Sequence, residues 1–230
     1  MTQPTYAIRC AGESNSFPDA HPFLNDAVDR GTVLVLIGDH SVVRPGDHDH
    51  LTILLELGNE CLGVHTGEDS GREGSNLIGF SRWRLGTDDP SNLIELVTQP
   101  KTLPDAIAAA RAVFETAGFQ VSVCADRPGR IVDRLIRPQF NLALQALDDG
   151  LVSAADLDLC LKLGLGYRRG FIAPLERSGI EHHYDVSLAL YEAYARPEFL
   201  PARSAAVAKA RSLTAVKRKK TDVAMRERGK

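Results

Sequence analysis

An Asp-His-Asp-His run at residues 47–50 is the first candidate for chemistry, because all four side chains are potential metal ligands. A zinc site built on this run would need its two histidines to converge in space with a third ligand, such as His40. The run also stands where we predict the start of a helix, a position at which aspartate favours the helix dipole and histidine is simply exposed. The pair His182-His183 is interpreted in the same way. The sequence therefore predicts no metal site.

Phosphate binding would require a glycine-rich turn between the first strand and the element that follows it. Here residues 11–18 read Ala-Gly-Glu-Ser-Asn-Ser-Phe-Pro, with the single glycine Gly12, and Glu13 would repel a phosphate. The sequence Gly-Leu-Gly at 164–166 lies between predicted helices and is interpreted as a turn. Only Gly38-Asp39, at a predicted strand end, is kept as a candidate ligand contact. We therefore predict that no dinucleotide cofactor is bound.

The first 125 residues alternate short apolar runs with segments of helical pattern. The runs show little alternation and predict strands buried on both faces. They are Tyr6–Cys10, Thr32–Gly38, Cys61–His65, Leu77–Ser81, Leu93–Thr98 and Phe119–Cys124. One helix is predicted over 47–58, where Asp47 would cap it and Leu51, Leu54 and Leu55 would share a face. Another is predicted over 104–118, beginning at a proline. This alternation is typical of a mainly parallel sheet flanked by helices.

From Pro128 onward the apolar residues follow a helical period, so the predicted fold class is α/β followed by all-α. We place a parallel-sheet domain at 1–126 and a helical domain at 127–201. Residues 202–230 form a third segment, a basic C-terminal helix or tail.

Four stretches follow one another in an informative order. They read Leu-Ile-Gly-Phe at 77–80, Leu-Ile-Glu-Leu at 93–96, Pro-Gly-Arg-Ile-Val-Asp-Arg-Leu at 128–135 and Gly-Leu-Gly-Tyr-Arg-Arg-Gly at 164–170. In this order they resemble the 3-hydroxyacyl-CoA dehydrogenase family. The resemblance begins near Leu77 and ends near Pro201. It implies that residues 1–126 form a reduced Rossmann-like parallel sheet, which includes the end of a nucleotide-binding domain. It also implies that residues 127–201 form a helical dimerisation domain that pairs with its twin.

In that family a histidine takes the proton of the substrate 3-hydroxyl while hydride passes to NAD, and a glutamate orients the histidine. An asparagine and a serine bind the reacting oxygen. The resemblance assigns the glutamate position to Glu95, the asparagine position to Asp133 and the histidine position to Ser81. Ser70 lies in a loop similar to the one that carries the family serine.

The residues found at these positions predict a site whose chemistry is lost or altered. A hydroxyl group at Ser81 is far too weak a base to replace imidazole, and Asp133 would repel a developing oxyanion. Alternatively, Arg82 or Arg84 pairs with one of these acids and forms a structural ion pair in an inactive site. Another alternative is a relocated active site, in which His65 replaces the missing base.

Three functions follow from the resemblance, besides an active dehydrogenase with a relocated site. The chain is interpreted as a divergent dehydrogenase-like protein of acyl-CoA (fatty acid) metabolism, with a non-catalytic partner subunit and an acyl-CoA binding module as alternatives. Arg168 is a candidate contact for the phosphates of acyl-CoA. A homodimer, or a heterodimer with a paralogous dehydrogenase, is expected because four leucines exceed what a small helical domain can bury. They are Leu142, Leu147, Leu157 and Leu161.

The bulk composition is that of an ordinary globular protein. Hydrophobic residues make up 43% of the 230, and no apolar run approaches the length of a membrane span, so no membrane partner is expected. The four scattered cysteines and a start without signal-peptide features favour free thiols in the cytoplasm. Residues 202–230 carry a net charge of +8, against −11 for the remainder. We interpret them as a solvated terminal helix, with nucleic acid disfavoured because no aromatic residue is present to stack on bases.

Overall fold

The computed structural model describes residues 4–67 and 75–228, with side chains up to residue 218. The chain divides into two compact units. The sheet unit comprises residues 1–84 and 89–132, and the helical unit comprises residues 85–88 and 133–230. Among the described residues, no helix combines the length and the apolar character needed to cross a bilayer.

The sheet unit is built on one six-stranded sheet, which confirms the predicted α/β class. Its strands are β1 (Tyr6–Cys10), β2 (Val33–Ile37), β3 (Thr52–Glu56), β4 (Leu77–Arg82), β5 (Leu93–Thr98) and β6 (Gln120–Ala125). They lie side by side in chain order, and every neighbouring pair is parallel except β4 and β5. The strand order therefore never reverses, whereas a doubly wound dinucleotide fold binds its ligand where the order does reverse.

Two local predictions are wrong. Residues 52–56 form a buried strand and not part of a helix, while Asp47 belongs to a short 3-10 helix, Pro45–Asp49. The segment 61–65 contains the one-turn helix α2 (Gly63–Thr66) and not a strand. In the first case all five side chains are buried, and a strand buried on both faces shows the same short apolar run as a buried helix.

Each face of the sheet carries its own apolar core. One face packs against α1 (Pro22–Asn25) and α3 (Pro104–Thr116) around a group of aromatic rings, those of Phe17, Phe23, Phe80, Phe114 and Phe119. The other face is aliphatic and buries side chains such as Leu36, Leu55 and Leu62. Burial on both faces explains why the strands lack alternation in the sequence.

The helical unit contains α4 (Val132–Asp148, of which Val132 belongs to the sheet unit), α5 (Ala154–Gly164), α6 (Ile172–Ser178), α7 (Ile180–Tyr194) and α8 (Arg203–Arg228). A second 3-10 helix, Pro197–Phe199, precedes α8. Side-chain oxygens fix two helix starts. Ser153 Oγ accepts the N–H of Asp156 at 3.2 Å, and the carboxylate of Asp158 accepts the first N–H groups of α6.

The basic helix α8 packs on α7 over its first turns. Ala202 and Ala205 are buried, and Lys209 Nζ lies 2.6 Å from an oxygen of Asp185. Farther along, Leu213 and Val216 are about half exposed. The start of the predicted tail is therefore part of the helical unit.

Candidate functional site

The glutamate at position 95 is buried within the sheet unit and is only 1% exposed. Its Oε1 accepts hydrogen bonds from the backbone N–H groups of Ile131, at 2.9 Å, and Val132, at 3.0 Å. Its Oε2 lies 3.6 Å from Nε of Arg130, whose guanidinium also donates to the carbonyl of Gly58 at 2.9 Å. Two backbone amides and a buried cation thus engage the carboxylate where α4 begins.

Ser81 lies directly opposite Glu95 in the antiparallel β4–β5 pair and is also buried. Directly opposed residues point to the same face, so the structure brings together the two positions that the resemblance assigns to base and carboxylate. The guanidinium of Arg82 donates to backbone carbonyl groups, those of Ser16, Pro90 and Ser91. The cation beside Glu95 is Arg130, which the sequence analysis did not single out.

His65, the alternative base, stands on α2. Its Nε2 lies 3.4 Å from Oε1 of Glu60, and this hydrogen bond is the main reason that the pKa of Glu60 is lowered to about 2. The carboxylate of Glu60 therefore fixes the orientation of the His65 imidazole. Ser70, the candidate serine, lies outside the described residues.

Three side chains of the Asp-His-Asp-His run form hydrogen bonds with other groups of the protein. The carboxylate of Asp47 accepts hydrogen bonds from both terminal nitrogens of Arg9, at 2.9 and 2.6 Å. This pairing lowers the pKa of the aspartate. His48 Nδ1 lies 3.2 Å from Asn76 Oδ1, and His50 Nδ1 lies 2.9 Å from the carbonyl of Asp47. Among the residues that the structure describes, no three His, Cys, Asp or Glu side chains are grouped as a metal would require.

The turn after β1, where a phosphate-binding loop is expected, is held by two acids. Glu56 accepts the backbone N–H groups of Ser16 and Gly38, at 2.7 and 2.8 Å. Asp39 Oδ1 accepts the N–H of Glu13 at 3.0 Å. The candidate ligand contact at 38–39 thus has bonding partners within the protein.

The helical unit contains a chain of buried polar groups that begins at Asp133. Arg137 Nε donates to Asp133 Oδ1 at 2.7 Å, and its NH1 lies 3.3 Å from Nδ1 of His183. His183 Nε2 lies 2.9 Å from Asn141 Oδ1, and the Asn141 amide donates to the Glu198 carbonyl at 3.1 Å. Burial and the neighbouring arginine lower the pKa of His183 to about 3. The imidazole is therefore neutral, with Nδ1 accepting and Nε2 donating.

The histidine pair on α7 divides between two faces. His182 is exposed as predicted, but His183 is buried, so the prediction for His183 is wrong. The 3.6-residue period could have found this burial, because it groups His183 with Ser187 and Leu190 on one face. Arg137 carried no comparable signal, since an arginine on a helix is usually exposed.

An apolar groove of about 380 Å³ runs along α4, α5 and the turn that follows. Its lining residues are Gln139, Leu142, Ala143, Ala146, Leu157, Leu161, Leu165, Tyr167 and Phe171. Leu142 and Leu165 are about 70% exposed, which is high for leucine. Arg168 lies next to Tyr167 in the chain and is exposed.

Comparison with known proteins identifies the helical part of the chain. Residues 129–223 match the family model described as the C-terminal domain of 3-hydroxyacyl-CoA dehydrogenase. In this domain, the chain is similar to the 3-hydroxyacyl-CoA dehydrogenase family. The family resemblance seen in the sequence is thereby confirmed.

Curated relatives are similar to this chain over a limited stretch. Lambda-crystallin of Oryctolagus cuniculus is 36% identical over 85 residues, which cover 36% of this chain and 27% of that protein. The mitochondrial hydroxyacyl-coenzyme A dehydrogenase of Sus scrofa is 33% identical over 89 residues, covering 39% and 28%. L-carnitine dehydrogenase of Pseudomonas putida is 32% identical over 81 residues, covering 35% and 25%. The match therefore spans about a quarter of each relative.

Solved structures extend the similarity to the sheet unit. The (S)-3-hydroxybutyryl-CoA dehydrogenase of Ralstonia eutropha superposes with a TM-score of 0.63 at 19% identity, over 81% of this chain and 66% of that one. A likeness at this identity concerns the fold, and it confirms an α/β unit followed by helices.

Proposed function

We propose that this is a cytoplasmic 3-hydroxyacyl-CoA dehydrogenase-like protein of acyl-CoA (fatty acid) metabolism that no longer transfers hydride, a pseudoenzyme. The bonding of Glu95 carries this proposal. A dehydrogenase of this family needs its glutamate to orient a histidine, whereas Glu95 has Ser81 opposite and bonds the N–H groups of Ile131 and Val132. A hydroxyl group cannot accept the substrate proton near neutral pH.

Loss of NAD binding is the second part of the proposal. The sequential strand order supports it, because a dinucleotide site forms where the order of strands reverses. The turn after β1 also supports it, since Glu56 and Asp39 already accept its amide N–H groups. A pyrophosphate would have to displace these carboxylates and would be repelled by them.

Acyl-CoA is the ligand we propose for the chain, because the family match is to the helical domain and Arg168 there is exposed to solvent. An exposed guanidinium is suited to a phosphate group of CoA. The Arg168→Gln variant should then bind acetoacetyl-CoA more weakly. Arg196→Gln, which removes another exposed arginine, is the matched control.

The deciding experiment is a thermal-shift titration of the purified protein with NAD, NADH, CoA and acetoacetyl-CoA, followed by an assay of acetoacetyl-CoA reduction. We expect stabilisation by CoA esters alone and no turnover. Turnover of NADH that is abolished by Glu95→Gln would refute the proposal. Turnover that is abolished by His65→Gln, with Glu95→Gln still active, would instead identify the relocated site.

A partner-subunit role is the second candidate, and the exposed groove on α4 and α5 favours it. An apolar surface of this kind on a helical domain is suited to a second helical domain, from a twin or from a paralogous dehydrogenase. The Leu142→Ser variant should shift a dimer towards monomer in light scattering. Leu151→Ser, which changes a leucine 79% exposed outside the groove, should not. Co-purification with a full-length dehydrogenase distinguishes a heterodimer from a homodimer.

A further inference from the structure

We infer that the two loops at the carboxyl end of β1 and β2 form an anion-binding cradle, and that the protein fills this cradle with its own carboxylate, Glu56. The inference rests on the proposed loss of NAD binding and gives it a cause. Glu56 would be the residue that excludes dinucleotide phosphates from the sheet unit.

Glu56 is the last residue of β3 and is 9% exposed. Its Oε1 accepts hydrogen bonds from the hydroxyl of Ser14, at 2.9 Å, and the backbone N–H of Ser16, at 2.7 Å. Its Oε2 accepts the backbone N–H of Gly38 at 2.8 Å. Three donors from two separate loops therefore converge on one carboxylate group.

The topology explains why these donors meet. β1, β2 and β3 are parallel neighbours, so the loop after β1, the residue after β2 and the end of β3 share one edge of the sheet. Backbone N–H groups that converge in this way form a concave site for an oxyanion. A phosphate oxygen accepts the same hydrogen bonds as a carboxylate oxygen, so the two ligands compete for one set of donors.

Close packing keeps the two loops at this distance. Gly38 has φ +100°, and a Cβ atom built on it would lie 2.3 Å from the carbonyl oxygen of Ala11. A backbone N–H of the first loop, that of Glu13, is bonded to Asp39, which follows Gly38. The hydrogen-bond donors are thus held in position by the fold, and either a carboxylate or another anion can accept from them.

The charge of Glu56 makes the exclusion strong. A pyrophosphate at the cradle would place two anions side by side, and like charges so placed strongly oppose binding. Glu56→Ala removes the carboxylate and leaves the donors of Ser14, Ser16 and Gly38 unpaired. This variant should therefore bind inorganic pyrophosphate at least about tenfold more tightly than the wild type.

The test uses the full chain labelled with nitrogen-15 and titrated with inorganic pyrophosphate at constant ionic strength. In Glu56→Ala we expect the amide signals of Ser16 and Gly38 to shift with pyrophosphate and the melting temperature to rise. In the wild type these signals should not move. The Glu56→Gln variant keeps the cradle filled but removes the charge, so it should bind pyrophosphate more tightly than the wild type and more weakly than Glu56→Ala.

A double variant and a refolding measurement provide further tests of the inference. Adding Ser14→Ala to Glu56→Ala removes one donor and should weaken pyrophosphate binding. If Glu56→Ala is unfolded alone, the same titration is followed by circular dichroism, and we expect pyrophosphate, but not sodium chloride, to restore the fold. A folded alanine variant whose Ser16 and Gly38 signals ignore pyrophosphate, or an unfolded one that pyrophosphate does not restore, overturns the inference. So does a wild type whose signals shift equally.

Titration of the wild type with NADH separates this inference from the proposed function. NADH binding that leaves the Ser16 and Gly38 signals unchanged overturns the proposed loss of NAD binding but not the filled cradle. NADH binding that shifts those two signals overturns both. A failure of pyrophosphate to bind Glu56→Ala overturns the cradle alone.

Discussion

The sheet unit and the helical unit bury their acids in different ways. In the sheet unit, Glu56, Glu95 and Asp126 each accept hydrogen bonds from two backbone N–H groups of loops or helix starts. In the helical unit, Asp133 instead faces the guanidinium of Arg137, which continues to His183. The acids of the sheet unit thus hold loops and helix starts in place, whereas the acid of the helical unit links side chains to one another.

The difference follows from how each unit satisfies its backbone. Long connections with few helices leave N–H groups of the sheet unit without partners in regular structure, and buried carboxylates supply those partners. Helices satisfy their own interior backbone groups, so polar side chains buried between them must satisfy one another. A buried acid is therefore not by itself a sign of catalysis.

The largest expected effect tests the side-chain network. Arg137→Ala leaves Asp133 and His183 buried without the guanidinium between them, and should lower the free energy of unfolding by about 3–5 kcal/mol. Urea denaturation followed by circular dichroism measures the loss. The control Lys209→Ala breaks a half-exposed pair with Asp185 and should cost less than about 1 kcal/mol. Equal effects of the two variants would show that the network contributes no special stability.

Glu95→Gln tests the backbone-binding role of the acid in the sheet unit. The amide oxygen of glutamine is a neutral and weaker acceptor for Ile131 and Val132, and its NH2 group would face Arg130, which loses its counter-charge. About 2–3 kcal/mol of unfolding free energy should therefore be lost. Glu115→Gln, at an exposed helix pair, is the control and should change stability by less than about 0.5 kcal/mol. An unchanged stability would contradict the structural role.

The pH dependence of stability tests the neutral state of His183. Its pKa falls from 6.5 to about 3 on folding, so the unfolded chain binds more protons between these values. The stability that the neutral imidazole contributes is fully present above pH 6.5 and is lost as pH falls towards 3, by about 1.4 kcal/mol per pH unit. His183→Gln should reduce this slope. His182→Gln, which changes the exposed neighbour, should leave the slope as it is, and a slope unaffected by both variants would count against a buried neutral His183.

The last prediction concerns the reactivity of a buried thiol, that of Cys124, and involves no change in stability. Burial, with Glu95 and Asp126 nearby, raises the pKa of Cys124 to about 11, although Arg130 opposes this. The reactive thiolate should then be about a hundredfold scarcer than for an ordinary thiol. Iodoacetamide labelling measured by mass spectrometry should modify the exposed Cys160 well before Cys124. Equally fast labelling would show that the anionic surroundings of Cys124 are not as described.

Sequence reasoning succeeded where local pattern and family order agree, and failed where burial decides. The helix after Pro104, the two strands that carry Ser81 and Glu95, and the change to helices after Pro128 are all found as predicted. The strand Thr52–Glu56 was missed, because a run buried on both faces has no distinguishing period. That error also hid Glu56, whose role depends on its place at the end of a strand.

The sequence by itself determined the family resemblance, the α/β-then-helical order and the residue types at the positions that the resemblance assigns to catalysis, because these are properties of linear order. Only the tertiary structure decided what the buried acids bond. Arg130 and the amides of Ile131 and Val132 reach Glu95 from 35 or more positions away, and Gly38 reaches Glu56 from the end of the neighbouring strand. Such partners are set by the order and register of the strands, which no local stretch of residues specifies.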